Sequence, residues 1–379
     1  MQKIYWFVQQ LNFIGGTEMV SIELMKHLSK TFDVTLVSVS EISDDIAYDI
    51  DDLKVISLNV PQSVCRYDAY LSSSLKAHHY WQAVKLTSRL IDYFVFKRNH
   101  YRQKICALTN KDDLIIASSM DSYIYAPLER HCIFHYHFNG QTYLSLGNRL
   151  MSLLARKNDY TVFLTKDTYD YVVQRKKAMR TKATYIYNPS RFKCEFVPTH
   201  TTPQLLFMGR LEKQKNPMRL LRIASELKEA DVSFHLDILG DGSYANEMQQ
   251  YIDKHALSAE VAMHGQVTDI EPFLRKNDIN LLTSTFEGFP LSIIETTSYG
   301  LYNISTNWGD AVHEAIDGNN GIVIDSFDEK IIAKEIIHVL NKDLNQLKYQ
   351  SYCDAQRFDI SSIVQEWIKL INKFNKENK

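Results

Sequence analysis

Several features that mark particular protein classes are missing from this 379-residue chain. Cysteine is scarce: Cys65, Cys106, Cys132, Cys194 and Cys353 make an odd set with no C-x-x-C pair. That argues against a disulfide framework and against a zinc cage, and the five read as reduced thiols of a cytoplasmic chain. No apolar run approaches the roughly 18 residues that span a bilayer. The opening Met1–Val8 lacks a signal-peptide cleavage region and reads as a first β-strand. Short-period repeats and low-complexity tracts are absent as well. So is any excess of one charge: the formal net charge is −2, which excludes a polyanion binder such as a nucleic-acid protein at the level of the whole molecule. What remains is ordinary globular material, 45% hydrophobic and 23% charged. At about 150 residues per domain, the length predicts two domains.

The charge is unevenly spread. Residues 1–60 hold 4 Lys/Arg against 9 Asp/Glu, residues 61–185 hold 19 against 9, and residues 186–379 hold 20 against 27. A near-neutral chain therefore contains one basic segment. Its densest parts are Lys97, Arg98, Arg102 and Lys104 beside Phe94 and Phe96, and Arg175, Lys176, Lys177, Arg180 and Lys182. Two readings stand open: a solvated helix face, or a surface for anionic lipid headgroups or an anionic acceptor.

Apolar patterning alternates strand and helix signals through both halves. In the first half, Lys3–Gln10, Asp33–Ser40, Val55–Val60, Asp113–Ser118, Cys132–His137 and Thr161–Leu164 read as strands. Amphipathic helices are expected from Gly15 to about Lys30 and over about 80–105. The pattern restarts with strands at Gln204–Gly209, Ser233–Gly240, Val261–Gly265, Ile279–Ser284, Tyr302–Ser305 and Gly321–Ile324. Helices fall over about Pro217–Glu229 and 243–256, and a closing amphipathic helix covers about Ser361–Asn375. This βαβ alternation predicts parallel sheets covered on both faces. A polar stretch near 188–203, punctuated by Pro189, Pro198 and Pro203, is the candidate linker. The expected domains are thus 1–188, joined by the helix 361–379, and 189–360.

Three glycine-containing turns follow strands. Gly15-Gly16 opens a helix, where glycine admits close backbone approach and free N–H groups attract an anion. Gly240-Asp241-Gly242-Ser243-Tyr244-Ala245 has the G-x-G-x-x-A form of a dinucleotide site. Its acidic partner at the right spacing, Glu260, precedes the next strand instead of closing it, which weakens a nicotinamide reading. The third turn is Glu287-Gly288-Phe289-Pro290-Leu291-Ser292, with Glu295 one helical turn further on. Pro290 suits the first turn of a helix. Two carboxylates beside a helix N-terminus can hold sugar or ribose hydroxyls while the N–H groups hold phosphate. Arg210 and Lys215 follow the first strand of the second half, at the sheet edge where open α/β folds bind ligands. Together they could neutralise a diphosphate without a metal. His135 and His137 end a strand and share one sheet face. No third ligand accompanies them, so they read as hydrogen-bonding or proton-handling groups before a metal pair.

In order and spacing these residues resemble the retaining GT-B glycosyltransferases of family 4. Glu287 and Glu295 resemble their E-x7-E motif. Gly15-Gly16, His137, Asn188-Pro189, Gly209-Arg210, Lys215-Asn216, Gly240-Asp241-Gly242 and Gly265 match in turn, so the resemblance spans nearly the whole chain. It implies two Rossmann-like domains with parallel sheets facing a deep interdomain cleft, the acceptor on the N-terminal side and a nucleotide-sugar on the other. A closing helix carrying Trp367 is expected to cross back onto the first domain. By the same resemblance Arg210 and Lys215 would hold the donor diphosphate, helped by N–H groups of Gly16, Leu291 and Ser292. Glu295 would take the ribose hydroxyls and Glu287 those of the transferred sugar. His137 would contact that sugar near the reacting carbon, with His135 the second choice.

The implied activity is that of a metal-independent hexosyltransferase with no cofactor. It would move a hexose or N-acetylhexosamine from a UDP-sugar to a glycan or lipid-linked saccharide of a bacterial cell-surface polysaccharide, teichoic acid or lipopolysaccharide. The expected location is cytoplasmic, with peripheral attachment to the inner membrane face if the basic segment meets lipid. The competing readings are a catalytically inactive glycosyltransferase-like binding subunit and a glycoside hydrolase using Glu287 and Glu295.

Overall fold

A computed structural model describes residues 1–12, 15–42, 48–61, 98–138, 140–144, 160–309 and 311–377. The chain divides into two compact units, Met1–Tyr187 with Val364–Lys379, and Asn188–Ile363.

The first unit is built on β1 (Lys3–Val8), β2 (Asp33–Ser40), β3 (Lys54–Val60), β4 (Leu114–Ala117), β5 (His131–Tyr136), β6 (Tyr160–Phe163) and β7 (Ala183–Tyr185). They form one sheet in the order 3-2-1-4-5-6-7, with every pairing parallel. Helices α1 (Gly16–Leu28), α2 (Arg98–Leu108), α3 (Met120–Tyr123), α4 (Gly140–Leu144) and α5 (Lys166–Arg175) lie between strands. The central strands show why the sheet is parallel: Leu114, Ile115, Ile116 and Ala117 are all buried, as a strand covered on both faces must be.

The second unit repeats the plan with β8 (Gln204–Met208), β9 (His235–Leu239), β10 (Val261–Met263), β11 (Ile279–Leu282), β12 (Tyr302–Thr306) and β13 (Gly321–Ile324). Their order is 10-9-8-11-12-13, again parallel. Its helices are α6 (Pro217–Glu229), α7 (Ala245–Lys254), α8 (Glu271–Lys276), α9 (Leu291–Ser298), α10 (Ala311–Ala315), α11 (Glu329–Leu340) and α12 (Leu344–Asp354). The last helix, α13 (Ile360–Glu377), passes to the first unit from Val364 onward. There Trp367 is fully buried against Trp6, with ring centroids 5.3 Å apart, and Phe374 packs on His131 and Tyr160.

Strand order fixes where a ligand can bind. In each sheet the chain starts at a central strand, winds to one side and then crosses to the other. The crevices therefore open at the carboxyl ends of β1 and β4 in the first sheet and of β8 and β11 in the second.

Four expectations need correction or relocation. Of the helix expected over about 80–105, residues 80–97 lie outside the described residues, Phe94, Phe96 and Lys97 among them. Only 98–105 is described, and that part is helical within α2. Cys65 is also outside, while the other four cysteines are free thiols. Arg102 does not belong to a basic surface: it is buried, and its Nε–H donates to the Ile124 carbonyl at 3.1 Å. Pro290 is the residue before α9, in extended conformation, and not its first helical residue. The stretch near 188–203 is irregular but anchored: Asn188 and Ser190 are buried, and the Ser298 hydroxyl donates to that of Ser190 at 2.7 Å.

Candidate active site

The crevice of the second sheet holds an ion pair. Lys215, in the loop after β8, lies 2.7 Å from Oε1 of Glu287, in the loop after β11. Three further contacts bind these loops together: Thr285 N–H to the Gln214 carbonyl (2.8 Å), Thr283 Oγ to the Lys215 carbonyl (2.9 Å) and Gln214 Nε2 to the Phe286 carbonyl (2.9 Å). Ser284 donates to Glu287 Oε1 at 2.7 Å, and the carboxylate is buried. Lys215 runs across Gly209, where a Cβ would crowd its Cε. The neighbouring Arg210 is exposed, and its guanidinium has no partner among the described residues.

Glu295 sits on α9 itself. It is buried, and Arg191 Nε–H donates to its Oε1 at 2.8 Å. Burial raises the Glu295 carboxyl above its usual value, and the nearby guanidinium draws it part of the way back. Arg191 was absent from the sequence reading because its partner is 104 residues away. The N-terminal N–H groups of α9 lie at Leu291 and Ser292, beside Gly288, Phe289 and Pro290, and Ser292 Oγ is buried without a hydrogen-bond partner.

The position of α9 is set by a buried polar ladder. Register places Asn280 of β11 beside Asn303 of β12, and Asn280 Nδ2 donates to Asn303 Oδ1 at 2.8 Å. Thr296 donates to the same oxygen at 2.9 Å, while Asn303 Nδ2 donates to Thr297 Oγ at 3.0 Å. All four residues are fully buried. These bonds fix the side chains that face α9, although Asn280 Oδ1 itself is buried without a partner, and the piece they hold carries Glu295.

Gly240 and Gly242 have a different setting. A Cβ on Gly240, at φ +138°, would overlap the Gly209 carbonyl, and one on Gly242 would meet that of Leu211. The loop after β9 thus lies directly on the loop that carries Arg210. The α7 end of this turn is already served, because the Glu212 carboxylate accepts from Ser243 N–H (3.0 Å) and Oγ–H (2.7 Å). Glu260 precedes β10 and pairs with Lys228 at 3.1 Å, so no acidic residue closes the strand as a dinucleotide site requires.

In the first unit, Gly15 caps α1 without a side-chain hydrogen bond, and Gly16 is the first helical residue. The Gly15 N–H donates to the Tyr48 hydroxyl at 2.6 Å. A Cβ on Gly15 would strike the Glu18 carboxylate, which is buried; burial pushes that carboxyl up to about 7. Trp6 Nε1 donates to Ser118 Oγ (2.7 Å), which meets Ser21 Oγ (2.8 Å), and so α1 is tied to the sheet. The two histidines differ sharply. His135 is 1% exposed among aromatic rings, whereas His137, just beyond β5, is half-buried.

Residues 192–355 match the family model described as Glycosyl transferases group 1, so the second unit carries a domain of that family. The Campylobacter jejuni protein named GalNAc-alpha-(1->4)-GalNAc-alpha-(1->3)-diNAcBac-PP-undecaprenol alpha-1,4-N-acetyl-D-galactosaminyltransferase is 29% identical over 171 residues, 44% of this chain. The match spans about half of that relative's length, 47%. The amylovoran biosynthesis glycosyltransferase AmsD of Erwinia amylovora is 23% identical over 98% of this chain and 100% of its own. The structure of Anabaena HepE, solved in complex with UDP and glucose, matches with a TM-score of 0.74 at 17% identity, covering 98% of this chain and 100% of that one. The chain shares the GT-B fold of these structural neighbours, two Rossmann-like domains each with a parallel sheet.

Proposed function

We propose that the chain is a retaining glycosyltransferase of GT-B family 4. In this reading it transfers a hexose or N-acetylhexosamine from a UDP-sugar to a glycan or lipid-linked acceptor of a bacterial surface polysaccharide, teichoic acid or lipopolysaccharide, without a metal. The observation that carries it is the Lys215–Glu287 pair at the crevice of the second sheet, beside the start of α9. Breaking a glycosyl–phosphate bond builds negative charge on the leaving diphosphate. Lys215, Arg210 and the N–H groups of Leu291 and Ser292 are a preorganised set for that charge. Before donor binds, Lys215 neutralises Glu287. The diphosphate then takes the ammonium, and the freed carboxylate accepts hydroxyls of the transferred sugar. Glu295, held by Arg191, takes the ribose hydroxyls, and His137 contacts the sugar near the reacting carbon.

The names of the Campylobacter and Erwinia relatives support an envelope-glycan acceptor. Among the described residues no helix is long and apolar enough to cross a membrane. Among the described residues of the basic segment's two densest parts, Lys104, Arg175, Lys177, Arg180 and Lys182 are exposed and suited to an anionic surface. Replacing Lys177, Arg180 and Lys182 by Gln is expected to weaken salt-sensitive co-sedimentation with phosphatidylglycerol vesicles. Binding that ignores both salt and these substitutions would mark a plain solvated face. The function itself is tested by thermal shift and nucleoside diphosphate release with a panel of UDP- and GDP-sugars. One UDP-sugar is expected to stabilise the protein and be consumed, and no response to any of them would overturn the proposal.

A further inference from the structure

Two imidazoles meet at the end of β5. Spacing two along the strand puts the rings of His135 and His137 on one face of the sheet, with Nδ1 of His135 3.1 Å from Nε2 of His137. His135 is clamped between indoles, its ring centroid 6.1 Å from that of Trp6 and 5.0 Å from that of Trp367. No carboxylate pairs with either histidine among the described residues. Burial holds both imidazoles below their usual value, His137 at about 3. Both rings are therefore neutral near pH 7, and each carries one N–H.

A single proton lies between the two facing nitrogens, and its two possible owners are not equivalent. If His137 donates from Nε2, His135 must carry its own proton on Nε2, buried among aromatic rings with no acceptor among the described residues. The neighbouring Trp367 already brings one such donor, since its indole N–H is buried without a partner. A second unpaired donor beside it would add the full desolvation cost of a buried N–H. If His135 donates from Nδ1, that donor is satisfied and only a lone pair is left inside.

We infer that His135 is a positioning residue: it donates its Nδ1–H to His137 Nε2 and fixes His137 as the Nδ1–H tautomer. This rests on the reading that His137 meets the donor sugar. Its consequence is chemical. The Nε2 lone pair of His137 is occupied and Nδ1 presents a hydrogen, so the residue offers the sugar a hydrogen-bond donor and cannot serve as a general base.

The test is long-range 1H–15N correlation on the full chain labelled with 15N-histidine, without donor, near pH 7.5, His137 being assigned by its loss in His137→Gln. Protonation of both His135 and His137 at Nδ1 is expected, and an Nε2-protonated His137 would overturn the inference. His135→Phe keeps the ring and removes the donor. It is expected to release His137 from the Nδ1–H form and to lower kcat at least tenfold with the Kd for UDP unchanged, while His135→Asn, whose amide can donate from the same place, recovers part of the rate. An unchanged kcat in His135→Phe would overturn the positioning role. If that variant does not fold, the tautomer of the unmodified chain decides alone. Absence of sugar transfer with the expected tautomer would count against the functional reading only, since the tautomer is read without donor.

Discussion

Glu18 and Arg191 show how single side chains set the electrostatics of the two crevices. The Glu18 carboxyl rises from 4.5 to about 7 through burial, so the folded chain binds more protons than the unfolded one between those values. By linkage its contribution to stability falls as pH rises from about 4.5 to 7. Glu18→Gln is therefore expected to be nearly neutral near pH 4.5 and to stabilise by about 2 to 3 kcal/mol at pH 8, read from thermal melts at the two pH values. A variant less stable than the parent at pH 8 would contradict this. Arg191→Ala leaves Glu295 buried without its cation. UDP binding is expected to weaken about tenfold by calorimetry, and an unchanged affinity would remove Arg191 from the site. Both residues escaped the sequence reading for a physical reason. Glu18 was one more first-turn acid until the fold buried it, and the partner of Arg191 is distant in sequence. Glu287, Glu295 and Lys215 were legible because the proline, the helix start and the strand-end loops that present them are local signals.

At the scale of elements, the strands were legible because parallel sheets demand continuous β-branched and apolar runs. Asp33–Ser40 and Gly321–Ile324 were found with their observed ends, and α6 likewise. The three-residue β7 was missed, being too short to show a period. Strand order was not legible, since crossovers and not local composition decide it. Neither was the device that holds α12 to the second sheet. Lys348 is fully buried and donates to Asp278 at 2.8 Å and to the carbonyls of Asn277 and Pro198. His200 also lies 3.3 Å from Asp278. Removing one member of such a pair leaves a buried charge uncompensated. Lys348→Met is expected to cost about 3 to 5 kcal/mol by denaturant titration, and the double variant Lys348→Met with Asp278→Leu much less. Equal losses in the two would contradict that account.

For the whole molecule, near-neutrality conceals opposed segments, and the structure shows which described cations of the basic one are buried and which exposed. Arg102 is buried, while Lys104, Arg175, Lys177, Arg180 and Lys182 are exposed. Two similar α/β units, each opening a crevice at its central strands, also account for the chain's length. The central claim is that Glu287 and its cation serve sugar transfer. Its most direct test is nucleoside diphosphate release from the proposed UDP-sugar donor, compared between the parent and Glu287→Ala. Turnover is expected to fall by about a hundredfold or more, with UDP affinity within a few-fold of the parent. Unchanged turnover in Glu287→Ala would contradict the account.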